Sequence, residues 1–314
     1  WAAFIVLIIC MLAVDLHVIG RRGQLQTKEA LYWTCFSMSV AVSFTGAIYW
    51  LYEYDLIEEH IGAGSGLSGS QAALQYFTAW LIEQSLSLDN VFVFALVFNF
   101  FQVPPKYQRR VLFWGVLGAL ILRGLMIALG AALISTFSWT QYLFGGLLVY
   151  AAIKMLYFKE EKFDPNNNVL FTLARRVYPM SDEFDREKFF TRLENGTRAM
   201  TPLFPVLLVI ESTDVLFAVD SIPAVFAITK DPFLVFTSNI FAILALRSLY
   251  FVLAALLHKF KKLKTSLVLV LLFVGGKMLL EEVLHVPTAI SLGVIVFLLL
   301  MGVLPTLLAR EKND

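Results

Sequence analysis

Charge is what this sequence has least of. Asp, Glu, Lys and Arg make up 16% of its 314 residues, against roughly a quarter in an ordinary soluble domain. So few charges could not cover a soluble fold of this length. Cysteine is nearly missing as well. Cys10 and Cys35 form no CxxC pair and have no histidine at ligand spacing, which excludes a zinc or disulfide framework. Both read as small packing residues. The four histidines are scattered near segment ends, so no shared histidine metal site is expected. A net charge of +1 without a basic arm gives no ground for a nucleic-acid partner. No nucleophile–base constellation or cofactor motif is present, so neither an enzyme nor a prosthetic group is expected.

What is there in abundance is apolar sequence, 59% of the chain. Apolar segments run at about 2–19, 30–52, 72–100, 107–134, 140–158, 202–228, 233–257, 265–285 and 288–308. Most match the roughly 20 residues that cross a bilayer. The reading is an all-α polytopic membrane protein of about nine transmembrane helices, with 2–19 as a first span rather than a signal peptide. Outside the spans, Lys and Arg are divided twenty against one between the odd-numbered connections with the C-terminal tail and the even-numbered connections, Lys230 being the single exception. The positive-inside rule then places the N-terminus outside and the C-terminus in the cytoplasm.

Connection 159–200 carries eight basic and eight acidic residues and reads as a cytoplasmic soluble loop. Within it, 169–178 suits a short amphipathic helix ending near Pro179. Stretches 189–193 and 197–200 flank Glu194-Asn195-Gly196 as a hairpin turn. The loop divides the chain into 1–158, with spans 1–5, and 201–314, with spans 6–9. The two parts repeat each other. Ser87-Leu88-Asp89 matches Ser212-Thr213-Asp214, Leu122-Arg123-Gly124-Leu125 matches Leu246-Arg247-Ser248-Leu249, and Lys154-Met155-Leu156 matches Lys277-Met278-Leu279. Spans 3–5 (about 72–158) therefore correspond to spans 6–8 (about 202–285). A three-span unit is odd, so its second copy inserts upside down, the 3+3 inverted repeat common in secondary transporters.

Ionisable groups inside spans are costly and mark function by default. The acids here are Asp15, Glu83, Asp89, Glu211, Asp214 and Asp220, and the bases Arg123, Lys154, Arg247 and Lys277. Asp89 and Asp214 hold equivalent positions in the two repeats. Glu211 and Asp214 share a helix face. Asp220 lies about 120° away on a regular helix, but Pro223 would kink that turn and swing it towards the site. Asn90 and Ser87 add oxygens beside Glu83. Oxygen ligands without thiols or clustered imidazoles suit Mg²⁺, Ca²⁺ or Mn²⁺. Two other readings of the acids are a core salt-bridged to Arg123 and Arg247, and a proton relay.

Residues 83–93, EQSLSLDNVFV, and 211–224, ESTDVLFAVDSIPA, resemble the two signature stretches of the TerC family, in particular its Alx-like branch. Supporting likenesses are 103–123, Asp231-Pro232-Phe233, Thr237-Ser238-Asn239 and the Phe189-Phe190…Asn195-Gly196 stretch. The resemblance implies a bacterial inner-membrane protein of the LysE-like transporter superfamily, associated with manganese export and carrying an older label of tellurium resistance. The expectation is an exporter of Mn²⁺, or of Ca²⁺ or another divalent cation, working by alternating access within the lipid bilayer. Asp89 and Asp214 would be central ligands, Glu83, Glu211, Asp220 and Asn90 would complete or flank them, and Asp15 would stand at the cytoplasmic entrance. Exchange against protons is the expected coupling. Plant relatives tied to thylakoid assembly keep a second reading open, a membrane scaffold or assembly factor in which the acids are structural.

Overall fold

The computed structural model describes residues 1–20, 27–56, 66–137, 139–157, 168–181, 183–193, 196–253, 261–283 and 286–308. The side chains of Asp15, Asp89 and Arg247 lie outside that description. A helix occupies each apolar segment: α1 (Ala2–Gly20), α2 (Thr27–Glu53), α3 (Gly69–Phe100), α4 (Pro105–Thr136), α5 (Thr140–Tyr157), then, beyond the short α6 (Val169–Val177), α7 (Leu203–Phe226), α8 (Pro232–Leu253), α9 (Lys261–Leu279) and α10 (Thr288–Leu308). Four stretches, Glu29–Glu53, Gly69–Phe100, Pro105–Thr136 and Pro232–Val252, are individually long and apolar enough to cross a bilayer. At 32 residues each, α3 and α4 are about 48 Å long and outreach a hydrocarbon core of about 30 Å.

Local chemistry sets the helix ends. Ser68 and Gln71 close a reciprocal capping box at the start of α3. Pro105 occupies the first position of α4, where a missing N–H costs nothing. Asp231 caps α8, its Oδ1 accepting from the N–H groups of Phe233 and Leu234. Its other oxygen accepts from the Tyr52 hydroxyl at 2.8 Å, tying α2 to the α7–α8 turn.

Packing brings α3 against α8, α7 and α2, and α4 against α7 and α8. Helix α5 lies along α9, which also carries α10. The α5–α9 crossing is dry and close: a Cβ on Gly145 would come within 2.9 Å of the Leu279 side chain, and one on Gly275 within 2.9 Å of Leu148. Small residues of this kind are what bring helix backbones together in a membrane. Large apolar side chains remain outside, for example Ile121, Leu125 and Leu129 along one face of α4 and Phe297, Leu300 and Met301 on α10. Contiguous exposed apolar surface of this kind suits lipid rather than water. Cys10 and Cys35 are on that surface too, as free thiols, which corrects their reading as packing residues. A Cys is small and apolar enough to sit against lipid as readily as in a core.

The described part of the connection between α5 and α7 is folded. Strands β1 (Phe190–Arg192) and β2 (Arg198–Met200) pair antiparallel, with Phe190 opposite Met200, and Gly196 supplies the positive φ of the turn. Asp185 accepts from Thr191 and Lys188, which holds its carboxyl below the usual range. Asn168 caps α6 and donates to Ser212 of α7, while Phe171 is buried among the ends of α3 and α7.

Candidate functional site

The polar centre of the molecule is built on Arg123, in the middle of α4 and 0% exposed. Its guanidinium grips Asp214 of α7 with two bonds, Nη2 to Oδ1 at 2.9 Å and Nε to Oδ2 at 3.1 Å. This is the fork geometry that makes Arg–carboxylate pairs strong. Nη1 turns the other way and contacts Glu83 Oε1 on α3, with Asn239 Oδ1 of α8 at 3.3 Å. Ser221 of α7 donates to the same Glu83 oxygen at 3.2 Å. Four helices thus meet at one guanidinium. The site is closed: Glu83 is 0% exposed and Asp214 2%. Two cavities among the described residues, about 660 Å³ beside the hairpin and about 140 Å³ at Cys10, Trp33 and Leu244, lie elsewhere.

Among the described residues, charge and hydrogen-bonding capacity are both left over. One guanidinium faces two buried carboxylates, and Glu211 stands one turn from Asp214 on the same face of α7. Glu211 rests against Gly118 of α4, where an added Cβ would overlap the carboxylate. Glu83 Oε2, Glu211 Oε2, both amide atoms of Gln84, Ser87 Oγ and Asn239 Nδ2 are buried with no hydrogen-bond partner. Buried polar atoms are normally satisfied, so such a concentration calls for water or an ion. A hard cation is the natural complement of the bare oxygens among them.

The structure brings together Glu83, Asp214 and, beside them, Glu211. Asn90 is buried on the α3 face that carries Glu83 and Ser87. Asp89 and Asp15 fall among the side chains outside the described ones. Asp220 is not brought in. Helix α7 runs unbroken through Pro223, the loss of the one bond to the Val219 carbonyl not ending it. Asp220 keeps its regular-helix direction beside the exposed Leu216 and Val219. Ser221, seven residues on from Asp214, returns to the site face in its place. Among the described residues no three His, Cys, Asp or Glu side chains form a ready metal cage. As it stands, the position next to the carboxylates is held by Arg123.

Sequence reasoning named Arg123 as a carboxylate partner but missed Ser221, Gln84 and Asn239. Asn239 is the one side-chain amide of α8, directly after Thr237 and Ser238, a signal that was present. Ser221 resembles the many Ser and Thr residues here that bond their own helix, as Thr213 and Thr237 do.

Comparison with known proteins gives a consistent result. The profile described as Integral membrane protein TerC family matches residues 68–314. The uncharacterized membrane protein STKORF319 of Myxococcus xanthus is 44% identical over 309 residues, 98% of this chain and 92% of that protein. Alx of Escherichia coli (strain K12), named as a candidate membrane-bound redox modulator, is 43% identical over 316 residues, 100% of this chain and 96% of its own length. A Rickettsia bellii membrane protein is 37% identical over 315 residues, again across 100% of this chain. No solved structure matches the chain at a significant level.

Proposed function

The chain belongs to the TerC family of integral membrane proteins, and from that premise we propose that it carries a divalent metal cation, Mn²⁺ first among the candidates, out across the bacterial inner membrane. The observation that carries this reading is that, among the described residues, two buried carboxylates share the one guanidinium of Arg123. An ion buried in apolar surroundings without a partner costs several kcal/mol at least. A purely structural salt bridge has no use for the surplus. A cation site does.

Glu83, Asp214 and Glu211 would supply the charged oxygens, with the Ser87 hydroxyl and the Asn90 amide as neutral ones. Asp89 joins them on the sequence repeat, which sets it and Arg247 at the positions equivalent to Asp214 and Arg123. Exchanging the repeat units turns the α3–α8 contact into the α7–α4 contact, and both are present. That packing supports an inverted pair of three-helix units with the site between them, the arrangement that alternating access uses. Nine spans with the basic connections and the C-terminus inside complete the topology. Proton exchange at the vacated carboxylates is the coupling this chemistry offers.

The redox description of the Alx relatives can be met in two ways. The chain's own thiols are Cys10 and Cys35, both free and on separate helices. Handling a redox-active cation such as Mn²⁺ is the simpler route. Purified protein in proteoliposomes, with a metal-quenched dye on the far side, should show Mn²⁺ flux that Asp214→Asn abolishes. Absence of flux in the wild type, or equal flux in the variant, overturns the proposal and favours the scaffold reading.

A further inference from the structure

We propose that Arg123 is a tethered substitute for the transported cation: its guanidinium holds the carboxylates of Glu83 and Asp214 while the carrier is empty, and an incoming metal ion displaces it. This rests on the cation-transport reading above.

Three observations carry it. First, Arg123 takes both oxygens of Asp214 and one of Glu83, so it occupies the position a cation would need. Second, the pairing is unbalanced. A guanidinium installed only to neutralise the core would face one carboxylate, whereas this one faces two and leaves Glu83 Oε2 bare. Third, unpartnered polar atoms belong to the same cluster: Asn239 Nδ2, whose amide oxygen accepts from Arg123, and Ser87 Oγ, one turn from Glu83 on α3. Ser87 Oγ offers a further oxygen to a metal on the face that carries Glu83.

The physical benefit is specific to a carrier. An empty carboxylate site in a low-dielectric interior resists the conformational change that must return it to the loading side. A side chain that fills the site lets the unloaded protein pass through the same occluded state without carrying a metal back. The same device lowers apparent affinity, because metal binds only the fraction of molecules in which Arg123 has let go. Weakening the guanidinium's hold should therefore tighten metal binding while slowing turnover. A structural salt bridge predicts the reverse, since loosening it disorders the ligands.

The test is Mn²⁺ binding by titration calorimetry on full-length protein in detergent, paired with flux in proteoliposomes. Arg123→Lys keeps the charge but loses the two-pronged grip. It is expected to bind Mn²⁺ about ten-fold more tightly than wild type, because the guanidinium competes less for the carboxylates, and to transport it more slowly, because the empty carrier returns without its substitute cation. Unchanged or weaker binding in a folded Arg123→Lys protein overturns the proposal and leaves metal transport standing. A wild type that neither binds nor moves Mn²⁺ overturns both. Should Arg123→Lys not fold, the Glu83→Gln/Arg123→Gln protein, which keeps the net charge of the cluster, is compared with Glu83→Gln alone. Tighter binding in the double variant supports displacement, and equal or weaker binding overturns it. A double variant that also fails to fold overturns it too, because Arg123 would then be indispensable to the fold.

Discussion

Two clusters of opposite charge in this protein use the same chemistry in different solvents. In the hairpin region Asp185 accepts from Lys188 at 3.0 Å and from Thr191 at 2.8 Å, at the water-exposed edge of the fold. In the middle of the helices Glu83 and Asp214 hold Arg123 with none of the three more than 2% exposed. Exposed pairs exchange one set of good interactions for another and contribute little. Buried charges have given up their hydration and depend on each other, so the loss of one partner strands the rest. The hairpin cluster trims a turn. The central one joins four helices.

That contrast is open to direct attack. The largest effect is expected from Arg123→Leu, which strands two carboxylates and should cost about 3–5 kcal/mol. It would be read as a collapse of the thermal unfolding midpoint in detergent, and a midpoint close to wild type would erase the distinction between the clusters. A medium effect is expected at the dry α5–α9 crossing. Gly145→Val there forces the helices apart against Leu279 and the Gly275 carbonyl, at about 1–3 kcal/mol by overpacking, with Mn²⁺ affinity unchanged by calorimetry. Altered affinity would mean that the two crossings are coupled. The smallest effect belongs to Asp185→Asn. Its carboxyl is held low, so whatever it contributes is fully present above its unfolded pKa and is lost only as pH falls through the lower folded value. At neutral pH the midpoint should drop by no more than scan error. In strongly acidic buffer variant and wild type should coincide. A large neutral-pH loss would show that the hairpin bears on the helices it touches.

Much of the architecture could be read before the structure. Long apolar runs have few ways to exist, and helices occupy every one of the segments, with ends displaced by a few residues where Ser68, Pro105 and Asp231 set caps. The hairpin was legible because Asn195-Gly196 between two short apolar stretches has a narrow meaning, and Phe190–Arg192 does pair with Arg198–Met200. Glu83, Asp214 and Glu211 announced themselves by their cost in a span. What sequence left open was who holds them. Arg123 reaches across 40 residues to Glu83 and 91 to Asp214, and such pairings depend on how each helix is rotated about its axis. Asp220 went the other way, because Pro223 was credited with a break that α7 does not make.

Anomalous diffraction at the manganese edge, from crystals of the wild-type protein grown with Mn²⁺, tests the central claim most directly. The account predicts one intramembrane peak within coordination distance of Asp214 and Glu83, with the Arg123 guanidinium drawn off both carboxylates. Crystals saturated with Mn²⁺ that show no such peak, with Arg123 still clasping Glu83 and Asp214, would contradict it.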